Sequence, residues 1–248
     1  MTLRADETGG MFPPDLERAT ERLYAAFAHH PLPPDMEEAC EHCVDPEVVG
    51  RFVRTPLRDL APDQLGIYLS NPGTWGNGTE LPHLVPRLLQ AYAGGEMTHW
   101  WSPETVAYRI HGRWQDRSPA ERTAVEEFFR AWWRWTLTSF PSTNPAWDLL
   151  DAVATLGLDV GPYLADFAEL PGEEPARQLA EVLDSWRWGG SLSEEAERTL
   201  RSWLVGGTPG RLLWEAAVAS AVAPVADELT EAAELADLLR DALNEEGV

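Results

Sequence analysis

A capping side chain followed at once by proline recurs through this chain, and that pairing writes helix starts. Asp45-Pro46, Ser102-Pro103, Ser118-Pro119, Asn144-Pro145 and Thr208-Pro209 each place a potential cap before a residue that needs no backbone donor. Gly161-Pro162, Glu174-Pro175 and Ala223-Pro224 repeat the pattern with weaker caps. Ser118-Pro119-Ala120-Glu121 is also a full capping box, with Glu121 able to reach back to the Ser118 amide. Strand signals are nearly missing, since no β-branched alternating run occurs and Asn77-Gly78 is followed by polar residues and a helical pattern. The expected fold is all-α, with helices near 14–29, 46–54, 62–70, 80–93, 103–112, 119–139, 145–156, 161–169, 174–187, 193–204, 209–220 and 224–244. Short connections make sequential helices antiparallel neighbours.

From Pro145 onward the helices are of similar length and follow one another in pairs, the texture of a HEAT-like α-solenoid without a nameable repeat consensus. The expectation is one helical domain in two parts, a cysteine-containing 1–117 and a repeat-like 118–248. Within the second part, Phe128, Trp132 and Trp135 share one helical face and Phe129, Trp133 and Thr136 the next. Such a helix is expected to be packed from two sides, with Arg130 and Arg134 meeting carboxylates or stacking on indoles.

Charge narrows the partners. The formal net charge is −22 and every one of the 19 basic residues is arginine. A chain so acidic repels phosphate backbones, which argues against nucleic acid. Residues 1–143 carry 20 acidic against 13 basic side chains and residues 144–248 carry 21 against 6, so the second stretch holds −15 of the total. That imbalance is read either as solvated helix faces or as a surface for a basic partner protein. No apolar run approaches the roughly 20 residues that span a bilayer, and Asp6 and Glu7 stand where a secretory signal would be apolar. The expected location is the cytoplasm.

Chemistry is suggested at one place. The only two cysteines form Cys40-Glu41-His42-Cys43, on a Pro-rich turn between two helical patterns. A Cys-x2-Cys turn offers two thiolates at a geometry zinc accepts, and with no further cysteine the remaining ligands must be His, Asp or Glu. His83 is the first choice, because Pro86 lacks the amide a helix would need there and either kinks the helix or moves its start near Val85, leaving His83 on an outward turn. His30, at the end of the first helix before Pro31, comes next, and His42, inside the motif, third. Packed thiols and a redox pair are the competing readings; the redox reading lacks the βαβ context of thioredoxin-like proteins. No Gly-x-Ser-x-Gly elbow, His-Glu-x-x-His helix or lysine-bearing phosphate loop occurs. The segment Asn71–Thr79, with three glycines and Trp75, is read either as a plain connector or as a loop that wraps the cysteine turn and anchors through Trp75.

About the first ninety residues resemble a family of uncharacterised bacterial helical proteins. The residues that carry the resemblance are Phe27, Cys40-Glu41-His42-Cys43, Leu57-Arg58-Asp59-Leu60, Tyr68, Trp75-Gly76 and His83-Leu84-Val85-Pro86-Arg87. The resemblance implies no known activity; it implies that the cysteine pair and His83 belong to one constellation. Three functions follow as expectations. The first is a non-enzymatic protein with a structural zinc on Cys40, Cys43 and His83, with His30, His42 or water as the fourth ligand. The second is an acidic module for a basic partner, and the third is a thiol-redox or metal-dependent enzyme in which Cys43 would have a depressed pKa.

Overall fold

Residues 11–32, 36, 40, 42–70, 72–75, 78–97, 102–190 and 192–246 are described by a computed structural model. Residues 1–7, Glu41, Asn71, Gly76 and Asn77, which carry parts of the sequence reading, lie outside them. The described residues form helices and no strand: α1 (Pro14–Phe27), α2 (Pro46–Arg54), α3 (Pro62–Ser70), a single turn α4 (Pro72–Trp75), α5 (Leu81–Ala93), α6 (Pro103–His111), α7 (Pro119–Thr136), α8 (Ala146–Thr155), α9 (Gly161–Glu169), α10 (Glu173–Arg187), α11 (Glu194–Val205), α12 (Thr208–Ala219) and α13 (Ala223–Glu246). The chain is all-α. No described helix is long and apolar enough to cross a membrane.

The caps divide into those that bond and those that do not. Asp45 accepts the Glu47 amide at 2.8 Å, and the Ser118 box closes in both directions, Ser118 N–H to Glu121 at 2.7 Å and Glu121 N–H to Ser118 Oγ at 3.2 Å. Ser102 makes no capping bond, and α8 and α12 take Pro145 and Gly207 as their first flanking residues instead of Asn144 and Thr208. In those cases proline's fixed φ, without a side-chain acceptor, sets the start. At the other end, α5 and α10 stop at glycines with positive φ, Gly95 (+72°) and Gly189 (+95°). The next amide then reaches back, Glu96 to the Ala91 carbonyl and Gly190 to the Ser185 carbonyl, which closes each helix.

The chain divides into two compact units, 1–128 and 129–248, with the division inside α7. In the first, α5 is the central element: among its residues only His83 and Gln90 are partly exposed. A helix apolar all round belongs inside. α1 packs on it through the face that carries Leu16, Leu23 and Phe27, and α6 also packs on it. Arg87 of α5 is buried yet fully engaged, donating from Nε to the Leu60 carbonyl (3.0 Å) and from both terminal nitrogens to Glu96 (3.1 and 2.7 Å). The Gly95 turn is what brings Glu96 back to it.

In the second unit, α8 packs on α10, α9 on α11, α10 on both α12 and α13, and α12 lies along α13. These contacts do not by themselves establish a HEAT-like superhelix. Phe128, Phe129, Trp132 and Trp133 are all fully buried, as a helix with aromatics on two adjoining faces requires. Trp133 meets Tyr163 and Phe167 edge-on, at 5.7 and 5.5 Å between ring centres. Arg130 and Arg134 both donate to Asp166 at 2.7 Å, and Arg130 lies over the Tyr163 ring, so the stacking partner is a phenol and not an indole. Burial pushes the Asp166 carboxyl above its ordinary value despite the two guanidinium groups. Gln178, fully buried, satisfies three backbone groups around the α7–α8 turn: it accepts the Ala146 amide (3.1 Å) and donates to the Ser139 (2.8 Å) and Thr136 (3.4 Å) carbonyls.

Candidate functional site

The cysteine turn is built from both sides. The amides of Cys43 and Val44 donate to the Cys40 carbonyl at 2.9 and 3.0 Å, which closes the turn just ahead of the Asp45 cap of α2. The Cys40 amide donates to the Thr74 carbonyl at 2.9 Å. Thr74 is held there because the next residue, Trp75, is a fully buried anchor, 5.0 Å from the Phe52 ring of α2 and 6.3 Å from the Tyr68 ring of α3. Tyr68 in turn donates to the buried carboxylate of Glu80 at 3.0 Å. Of the two readings of this segment, its described residues Thr74 and Trp75 fit the anchored one. A one-turn helix, α4, does the anchoring.

The result is two exposed sulfurs 3.2 Å apart, not joined as a disulfide. Two sulfurs on one tetrahedral zinc, each about 2.3 Å from the ion, sit roughly 3.8 Å apart, so the pair needs to open by only about half an ångström. The hydrogen bond with Cys40 raises the Cys43 thiol above its ordinary pKa, in the direction opposite to what an activated thiolate nucleophile requires.

The histidines go elsewhere. α5 begins at Leu81, with Pro82 in its first turn and Pro86 accommodated inside, so His83 stands in a helix and not on an outward turn. Its amide bonds to the Glu80 carbonyl at 3.0 Å, and its Nδ1–H donates to the His30 carbonyl at 2.8 Å, tying α5 to the end of α1. His30 directs Nε2 to Glu121 Oε1 at 2.5 Å, and its ring lies 4.0 Å from that of His29. Among the described residues, the one group of three or more His, Cys, Asp or Glu ligand atoms lying within 4.8 Å of one another is His29, His30 and Glu121. The two thiols are therefore brought together, but His83 and His30 are not brought within that range of both. His42, inside the turn, is exposed.

Glu121 is the residue that sequence reasoning missed at this place. It was legible as a capping-box acid, and that role occupies one carboxylate oxygen; the partner of the other oxygen is 91 residues away. Burial raises the Glu121 carboxyl, but hydrogen bonds from Ser118 and His30 outweigh it and hold the group below its ordinary value. Buried Arg117 lies 3.9 Å from the same Oε1, and burial lowers its own pKa.

The second unit carries a different feature, an apolar groove with a cavity volume of about 240 Å³ between the α9–α10 turn and α12. Phe167, Leu179, Leu212 and Ala216 supply apolar surface, and Glu173 and Glu215 supply carboxylates. The chain matches no known protein family, no curated protein and no solved structure.

Proposed function

We propose that this chain is a non-catalytic helical protein that holds a zinc ion on the Cys40–Cys43 turn. The observation that carries the reading is the turn itself: two exposed thiols 3.2 Å apart, on a loop fixed by the Cys40–Thr74 hydrogen bond and the buried Trp75. The two sulfur positions are held before metal arrives, so binding costs little order at that half of the coordination shell. The raised pKa of Cys43 speaks against nucleophilic chemistry, and on binding zinc the thiol releases its proton to solvent while the thiolate takes the ion, so binding weakens as pH falls. The test is elemental analysis of protein purified without an affinity tag or chelator, followed by cobalt substitution. Thiolate-to-cobalt charge-transfer absorption in the near ultraviolet, lost in Cys40→Ser and Cys43→Ser, is the expected result. Metal-free protein that gives no such band with added cobalt overturns the reading.

A second reading is supported by the groove of the second unit. An apolar trough with Glu173 and Glu215 among its walls, within a stretch carrying −15 of net charge, suits a basic amphipathic segment of a partner protein. Such a complex weakens as salt rises. A complex that ignores salt, or one that Leu212→Glu leaves intact, would remove it.

A further inference from the structure

We propose that His29, His30 and Glu121 form a binding site for a borderline divalent cation of the zinc class, separate from the cysteine turn. Each residue offers one ligand atom, and the three atoms lie within 4.8 Å of one another. Two imidazoles and one carboxylate are the donor set that zinc accepts with a fourth position left for water, and they suit zinc, nickel or copper better than magnesium or calcium.

Three features preset the site. Glu121 has a side chain only 4% exposed, and the Ser118 amide occupies its Oε2, so a single oxygen, Oε1, is left facing His30. His30 is fixed in its turn by hydrogen bonds at two backbone atoms: its amide donates to the Phe27 carbonyl at 3.0 Å and its carbonyl accepts from His83 Nδ1–H. Both histidines follow the last residue of α1, and the negative end of the helix dipole favours a cation there. His29 is exposed, which leaves its ring free to turn and the site open to solvent.

Two features oppose binding, and both give the proposal a measurable sign. Nε2 and Oε1 are now hydrogen-bonded at 2.5 Å; two ligands about 2.0–2.1 Å from one tetrahedral zinc lie roughly 3.3 Å apart, so the pair must open by about 0.8 Å. Arg117, 3.9 Å from Oε1, is a fixed positive charge beside the ion. Its removal is therefore expected to tighten binding, which a purely structural role for the cluster does not predict.

The experiment uses the full chain carrying Cys40→Ser and Cys43→Ser, so that thiols do not compete, stripped by chelator and titrated with zinc by calorimetry and with cobalt by absorption. The expected result is one saturable equivalent whose cobalt complex lacks thiolate charge-transfer absorption. His29→Ala, at an exposed position that leaves the fold intact, weakens binding by roughly tenfold or more, and Arg117→Gln strengthens it. No saturable binding, or binding that His29→Ala leaves unchanged, overturns the proposal. Failure of the cysteine reading shows separately, as a missing thiolate band in the unsubstituted protein.

Discussion

Trp75 is the residue on which the cysteine turn hangs, and its truncation tests that directly. The side chain is fully buried and packs on Phe52 and Tyr68, while its indole N–H has no hydrogen-bond partner among the described residues. Trp75→Ala removes an apolar payload of about 150–250 Å², worth about 4–6 kcal/mol at 25 cal/mol per Å². Partial collapse of the cavity brings the expected loss to about 3–5 kcal/mol. Trp75→Phe behaves differently. It gives up roughly 40 Å³, worth about 1 kcal/mol as cavity. It also deletes a buried donor without a partner, whose desolvation costs about 1–3 kcal/mol in the native state. The two nearly cancel, and Trp75→Phe is expected to cost no more than about 1 kcal/mol.

Because the chain divides into two compact units, a single denaturation midpoint does not report this loss cleanly, and hydrogen exchange resolved by residue is the assay of choice. The Cys40 amide, bonded to the Thr74 carbonyl, is the reporter: it exchanges much faster in Trp75→Ala and at close to the native rate in Trp75→Phe. Amides of α10 and α13, in the other unit, serve as the unchanged control. Trp75→Ala within about 1 kcal/mol of the native protein would refute the anchor, since it would place the cost below any buried-tryptophan truncation. Equal losses in the two variants would refute the account of the indole N–H.

Three further outcomes can be measured. Gln178→Leu strands the buried Ala146 amide and takes the donor from the Thr136 and Ser139 carbonyls, and is expected to cost about 1–3 kcal/mol, read from hydrogen exchange of the α8 and α10 amides, because an unpaired buried backbone group bears its full desolvation penalty. Gly190→Ala sets a Cβ 2.4 Å from Trp147 Cζ2 and 2.8 Å from the Ser185 carbonyl, and costs about 2–3 kcal/mol. At neighbouring Gly189 a Cβ meets nothing within 4 Å, so Gly189→Ala meets only the positive-φ strain of about 1–2 kcal/mol; the reverse ranking by thermal melting would contradict the packing. Glu121 has its pKa held below the ordinary 4.5, so the folded state gives up that proton more readily than the unfolded one. Its contribution is present above pH 4.5 and disappears as pH falls through the folded value, and the melting-temperature gap between native protein and Glu121→Gln should close as the solution is acidified through that window.

Much of the fold was legible because its signals are local. The boundaries Pro46–Arg54, Pro62–Ser70 and Gly161–Glu169 follow from proline at or beside the first helical position and from polar or glycine breaks after the last apolar residue. α4 was not legible, since one turn has no period to read. The site was legible only as far as its chemistry is contiguous. Spacing alone brings Cys40 and Cys43 together; it cannot say that the Thr74 carbonyl holds the turn, because that depends on Trp75 finding Phe52 and Tyr68. The expected outward turn at His83 did not form because of a competition between prolines. Pro82 already fits the first turn of α5, so Pro86 is absorbed at the loss of one bond to the Pro82 carbonyl, and the imidazole turns to the end of α1.

That outcome separates two donor sets that the sequence had merged. Soft sulfur stands at the cysteine turn, and borderline nitrogen and oxygen stand where α1 ends against the Ser118 capping box. Cobalt distinguishes them by whether a thiolate band forms. Metal bound only through sulfur would leave Glu121 as a capping acid paired with His30. Metal bound only through imidazole would make the exposed thiol pair a feature of the turn and not its purpose.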